Sequence, residues 1–200
     1  SGGGNTTYYL GEVSADGSRS YFPIIYLLKE PLPYILLTIF ALFLALVKCV
    51  KHCQERIKKL WLSDFMRLLR DNFVEAGMLF VAGIYWAFSI KSNLNIGVRH
   101  ILPTLPFIYA LTARQIGFWI KGGITERILN YQGFWQLLGL KWRRVKKGFV
   151  IALLFIWANI SVISAWPSFL AYFNEIASGP NEGYTFAVDS NLDWGQDILR

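Results

Sequence analysis

Two hundred residues leave room for one or two domains, but 54% of them are hydrophobic, 16% aromatic and only 16% charged, with a mean hydropathy of +0.36. This excludes an ordinary soluble globular domain. Because the apolar residues come in long blocks, it points to an all-α integral membrane protein. The formal net charge of +7 is first a topology signal in such a chain, and no nucleic-acid partner is expected.

The chain opens Ser-Gly-Gly-Gly without methionine and stops at Arg200 inside what reads as a starting helix, so a piece of a longer membrane protein is expected. Residues 1–33 are turn-rich and then aromatic, which suits a loop or short helix lying at a membrane interface. Asn5-Thr6-Thr7 fits a glycosylation sequon, a motif common by chance. A membrane domain is expected over 34–165, with four spans at about 33–50, 73–90, 101–120 and 148–168. The second is short for a span. The third is interrupted by Arg114, which is expected near its far end or against protein. The fourth has twenty-seven residues without charge between Lys147 and Glu175.

Two basic amphipathic stretches separate the spans. In 51–72, Ile57, Trp61, Phe65 and Leu68 share one helical face, and Arg56, Lys59, Arg67 and Arg70 face away. Residues 121–147 end in Lys141-Trp-Arg-Arg-Val-Lys-Lys147. Both are expected to lie as helices on the cytoplasmic membrane surface. Cys49, His52 and Cys53 supply three metal-ligand types without a fourth and read as reduced thiols beside a histidine.

Loops 48–72 and 114–147 carry seven and eight Lys/Arg, fifteen of the twenty in the chain. The positive-inside rule puts them in the cytoplasm and puts both termini and the 91–103 loop on the outer face. Residues 169–200 then begin an exported soluble domain, with a turn at 179–183, a short strand at 184–188 and a helix opened by the capping box Ser190-x-x-Asp193.

Arg99 and His100 stand in the polar island between the second and third spans. A guanidinium beside an imidazole can grip a phosphate, and Gly97 lets backbone approach a ligand. The same arginine could instead anchor a helix end at the headgroups. Lys29, beside Glu30 and before Pro31, is a second phosphate contact or a snorkelling anchor. Asp189, Asn191, Asp193 and Asp197 resemble a calcium loop, but Trp194 and Arg200 occupy the positions that need glycine and glutamate. Asp189, Asn191, Asp193 and Trp194 are therefore candidate sugar or metal contacts, with helix capping and solvated acids as the other reading. There is no P-loop, nucleophile elbow, zinc signature or dinucleotide fingerprint.

Three stretches resemble one family. They are Tyr9-Leu-Gly-Glu12 with Tyr21-Phe-Pro23 and Leu28-Lys29-x-Pro-Leu-Pro33; Leu94-Asn-Ile-Gly-x-Arg-His100 with Pro103 and Pro106; and Leu170-Ala-Tyr-Phe-Asn-Glu175 with Asp189-Ser-Asn-Leu-Asp-Trp-Gly-Gln-Asp197. In this order they look like the C-terminal half of prokaryotic dolichyl-phosphate-mannose protein mannosyltransferase-like proteins of the GT-C superfamily. The resemblance implies a multi-pass hexosyltransferase. It would move a sugar from a polyprenyl-phosphate donor to a protein or glycan acceptor on the outer face. It also implies that the catalytic acid lies in the first outer loop of an N-terminal half absent from this sequence, so no residue here is assigned as base. The departing lipid phosphate calls for cations or a divalent metal ion, and Arg99, His100 and Lys29 are the candidates. A non-catalytic membrane module that binds or moves polyprenyl-phosphate lipids is the alternative.

Overall fold

The computed structural model describes residues 6–14, 17–56, 66, 69–92, 95–122, 134–179, 181–188 and 191. The chain begins with a hairpin, β1 (Thr7–Tyr9) and β2 (Glu12–Ser14), followed by α1 (Tyr21–Lys29) and α2 (Leu32–Arg56). Then come α3 (Phe73–Lys91), α4 (Leu105–Lys121) and α5 (Phe134–Ile163). Between α3 and α4 lie two 3-10 turns, Val98–His100 and Leu102–Thr104, and three more follow α5. The fold is thus mostly helical, with the hairpin as its one departure from an all-α class among the described residues.

The four long helices alternate in direction. Tyr34 stacks near Tyr109, the Thr112 hydroxyl donates to Thr38, and Phe40 meets Trp119, so α2 and α4 run parallel. Trp86 bonds Thr104 while Arg114 pairs with Glu75, so α3 opposes α4. Tyr34 meets Phe155 and Lys147 meets Trp119, so α5 opposes both α2 and α4. Leu37, Ala41 and Ile116 are buried between α2 and α4, with Ile151 and Leu154 of α5 packed against them.

Three helices are long and apolar enough to cross a membrane: Leu32–Val50, Phe73–Lys91 and Lys141–Ile163, with mean hydropathies of 2.3, 1.6 and 1.7. Only 11–22% of those windows is buried within the protein. The outward Leu46, Phe80 and Phe149 side chains are exposed, which marks these helices as membrane-facing and not as a water-facing bundle. The expected third span at 101–120 becomes the 17-residue α4, which starts only at Leu105. Pro103 and Pro106 lack amide hydrogens and confine residues 98–104 to single 3-10 turns.

The fourth expected span is also redrawn. Its helix begins at Phe134, not at 148, and ends at Ile163. No proline interrupts 134–147, and Gly139 is carried within the helix, so the basic stretch 141–147 continues into the span instead of lying as a separate surface helix. The rest of the expected interfacial helices, 57–65 and 123–133, and the capping box at Ser190 fall outside the described residues.

Arg114 reaches the start of α3, where its Nε stands 2.7 Å from a Glu75 oxygen and its guanidinium lies over Phe118. The pair removes the cost of a lone arginine in an apolar segment. At the opposite end of the bundle, α1, the hairpin and the tail pack as a roof over Tyr21, Phe22, Ile25, Ile101 and Ala187. Leu10 and Gly11 both have positive φ and make the two-residue hairpin loop. The expected strand at 184–188 is instead a 3-10 turn at Gly183–Thr185, leaving Ala187 in a single bridge to Tyr9.

Gly183 is buried against Phe173, and a Cβ added there would stand 2.2 Å from the ring's Cδ2 atom. Gly183→Ala is expected to overpack this cluster, destabilise the protein by roughly 1–3 kcal/mol and lower its thermal unfolding midpoint in detergent. An unchanged midpoint would mean that Phe173 is not held beneath the turn.

Candidate functional site

The polar island folds back against the upper part of α3. Gly97 takes φ +94°, a left-handed value that reverses the chain. The His100 amide then donates to Gly97 O and the Ile101 amide to Val98 O. Ile101 is fully buried beneath Tyr21 and Phe22. Trp86 of α3 donates its Nε1 hydrogen to the Thr104 hydroxyl at 3.0 Å, and that hydroxyl donates to Ile101 O at 2.7 Å. The turn is therefore pinned just after Arg99 and His100.

Arg99 is exposed at this turn. His100 is half-buried, its ring 5.5 Å from that of Phe22 and 5.9 Å from that of Tyr85. A groove of about 550 Å³ runs along the outward face of α3 from Phe80 past Ile84, Tyr85 and Phe88 to Ser92, with His100 lining it beside Tyr85. Its walls are largely apolar, and its polar groups, Tyr85, Ser89, Ser92 and His100, lie along the half that faces the turn. That is the shape of a site for an amphiphile with its head at the turn.

Lys29 is placed differently. Its ammonium donates to Leu170 O at 2.6 Å and to Asn191 O, and lies 4.6 Å from the centroid of the Phe173 ring. Burial pushes its pKa down from 10.5 to about 8. Asn191 is only 2% exposed. Its Oδ1 accepts from the Val98 amide at 3.2 Å, and its Nδ2 donates to the Tyr21 hydroxyl and to Val188 O. Lys29 and Asn191 thus connect α1, the tail and the Arg99 turn through internal bonds. Asp189, Asp193 and Trp194 lie outside the described residues. Among the described residues no three His, Cys, Asp or Glu side chains converge as a metal site.

Two residues that carry the site's frame were not singled out from sequence. Asn174, fully buried, donates its Nδ2 hydrogens to Leu27 O at 2.6 Å and Glu30 O at 2.8 Å, while its backbone amide donates to Leu28 O. The signal was available in Pro31, which has no amide to offer Leu27 O. Glu30 is buried and accepts from the Tyr109 hydroxyl. Burial raises its carboxyl pKa, and the bond from Tyr109 opposes that shift. In the island itself, the Asn95 Oδ1 is buried with no hydrogen-bond partner among the described residues.

The Lys29 shift has a sign that can be tested. Between about pH 8 and 10.5 the unfolded chain holds the lysine proton more firmly than the folded one, so stability from this group rises with pH across that window. The thermal midpoint of the protein, taken relative to that of Lys29→Met, should climb across it. A flat or falling difference would put the ammonium in water.

No protein-family model, no curated protein and no solved structure matches the chain, so the site stands on its own geometry and on the sequence motifs.

Proposed function

We propose that this chain is part of a mannosyltransferase-like integral-membrane glycosyltransferase that takes a sugar from a polyprenyl-phosphate donor. Arg99 and His100 receive the donor phosphate, and the groove on α3 takes the first isoprene units. The observation that carries the reading is the groove itself, apolar along Phe80, Ile84 and Phe88 and lined at the turn by His100. The motifs shared with the protein mannosyltransferase-like family add the substrate class.

The chemistry follows from charge. When an acceptor hydroxyl attacks the anomeric carbon, the lipid phosphate departs and gains negative charge. A guanidinium fork and an imidazole N–H at the turn stabilise that charge more in the transition state than in the ground state. Lys29 acts as a positioning residue, through Asn191 and the Val98 amide. Asp189, Asp193 and Trp194 flank Asn191 in sequence and remain the candidates for a sugar or divalent-cation contact. The excess of Lys/Arg in loops 48–72 and 114–147 supports a multi-pass placement in the cell membrane, with both termini and this site on the extracytoplasmic face.

The alternative is a lipid-binding module without catalysis, which would use the same groove and the same Arg99 turn. Both readings are separated by measuring binding and transfer together on the membrane-extracted protein, with a panel of polyprenyl-phosphate sugars. Arg99→Ala should weaken donor binding about 10- to 100-fold, with Arg99→Lys recovering part of it. Unchanged binding and transfer in Arg99→Ala would sink the phosphate assignment. Arg99-dependent binding with no transfer to any acceptor would establish the module instead.

A further inference from the structure

A second cavity lies in the body of the bundle, away from the Arg99 turn. It measures about 440 Å³ and sits between α2, α4 and α5, with Tyr34 and Thr38 on one wall, Ala113 and Gly117 on the second, and Ile151 and Phe155 on the third. Small residues on α4 create the space, since a Cβ added at Gly117 would meet nothing within 4 Å.

The basic end of these same helices carries cations on the same faces. Lys147 precedes Ile151 by one turn of α5, and Lys48 follows buried Ala41 by two turns of α2. The Lys147 ammonium donates to Trp119 O at 2.7 Å and lies 4.3 Å from the centroid of that indole ring. The Lys48 ammonium lies 5.6 Å from the centroid of the adjacent Phe118 ring. The two cations thus lie against consecutive aromatic residues of α4, Lys147 half-buried at Trp119 and Lys48 exposed at Phe118. Arg114 lies over Phe118 as well, but its charge is taken by Glu75. Two lysines held against apolar rings, next to an apolar cavity, match an amphiphile with an anionic head.

We infer that this cavity holds one acyl chain of an anionic phospholipid whose phosphate is seated between Lys48 and Lys147. The two lysines are at the opposite end of the bundle from the proposed donor site, and the inference does not depend on that site.

The test is native mass spectrometry of the membrane-extracted protein with phosphatidylglycerol or phosphatidylcholine of identical chains. Phosphatidylglycerol should be retained in preference. The double variant Lys48→Gln/Lys147→Gln should lower its retention by more than about tenfold. Lys146→Gln should leave retention unchanged, because Lys146 sits at the same end of α5 but over Trp142. Gly117→Leu, or Ala113→Leu where the first does not fold, should lower retention with every charge intact. Any of four outcomes overturns the site: no headgroup preference, an equal loss in Lys146→Gln, full retention with the cavity filled, or a photoreactive residue at Ala113 that crosslinks to polypeptide and not to lipid.

Discussion

Pro31 cannot give Leu27 O the amide hydrogen that a continuing helix would supply, and the roof of this protein is arranged around meeting that demand. The donor comes from Asn174, more than a hundred residues away, whose side chain serves Leu27 and Glu30 while its backbone serves Leu28. Buried backbone carbonyls must find partners. The proline that turns α1 into α2 therefore also commits the tail to return and cap α1. Lys29 completes the closure from the other side by donating to Leu170 O and Asn191 O. Asn191 in turn holds the Val98 amide. The exposed Arg99 thus rests on a chain of buried hydrogen bonds that begins at one missing N–H.

The membrane helices were legible in the sequence because their cause is local. Uncharged runs such as 34–47 and 148–163 have few alternatives to a helix in an apolar medium. Where the fold departed from expectation, the cause was distant or subtle. The start of α5 at Phe134 reflects the absence of any proline from 134–163, which the charges of 141–147 disguise. The hairpin escaped notice because Leu10 stands where asparagine usually marks a two-residue turn. The strand expected at 184–188 has strand-like residues, yet Gly183 is packed under Phe173 and the chain coils there instead.

The candidate site divides along the same line. Arg99 and His100 were readable as a pair, since their spacing and the glycine before them are sequence facts. Lys29 and Asn191 were readable only as polar residues near the right face. Whether such a residue meets a ligand or braces a turn depends on burial, which no local pattern reports. The structure commits Lys29 to two carbonyls and an aromatic face, and it commits Asn191 on both ends of its amide. They still shape what Arg99 can do, because they fix where its turn sits.

That turn sits low. His100 is beside Tyr85 and Thr104 is bonded to Trp86, while α3 continues to Lys91. Six residues of helix rise about 9 Å, so the polar island starts at the end of α3 and descends beside it to His100 and Thr104. The roof formed by α1 and the tail then covers Ile101 from the other side. A headgroup reaching His100 from the groove would leave bulk water while its chain stayed along Phe80 and Phe88. Charge interactions strengthen as water is excluded, so a phosphate drawn from the groove to the half-buried His100 would be held more firmly than one on an open surface.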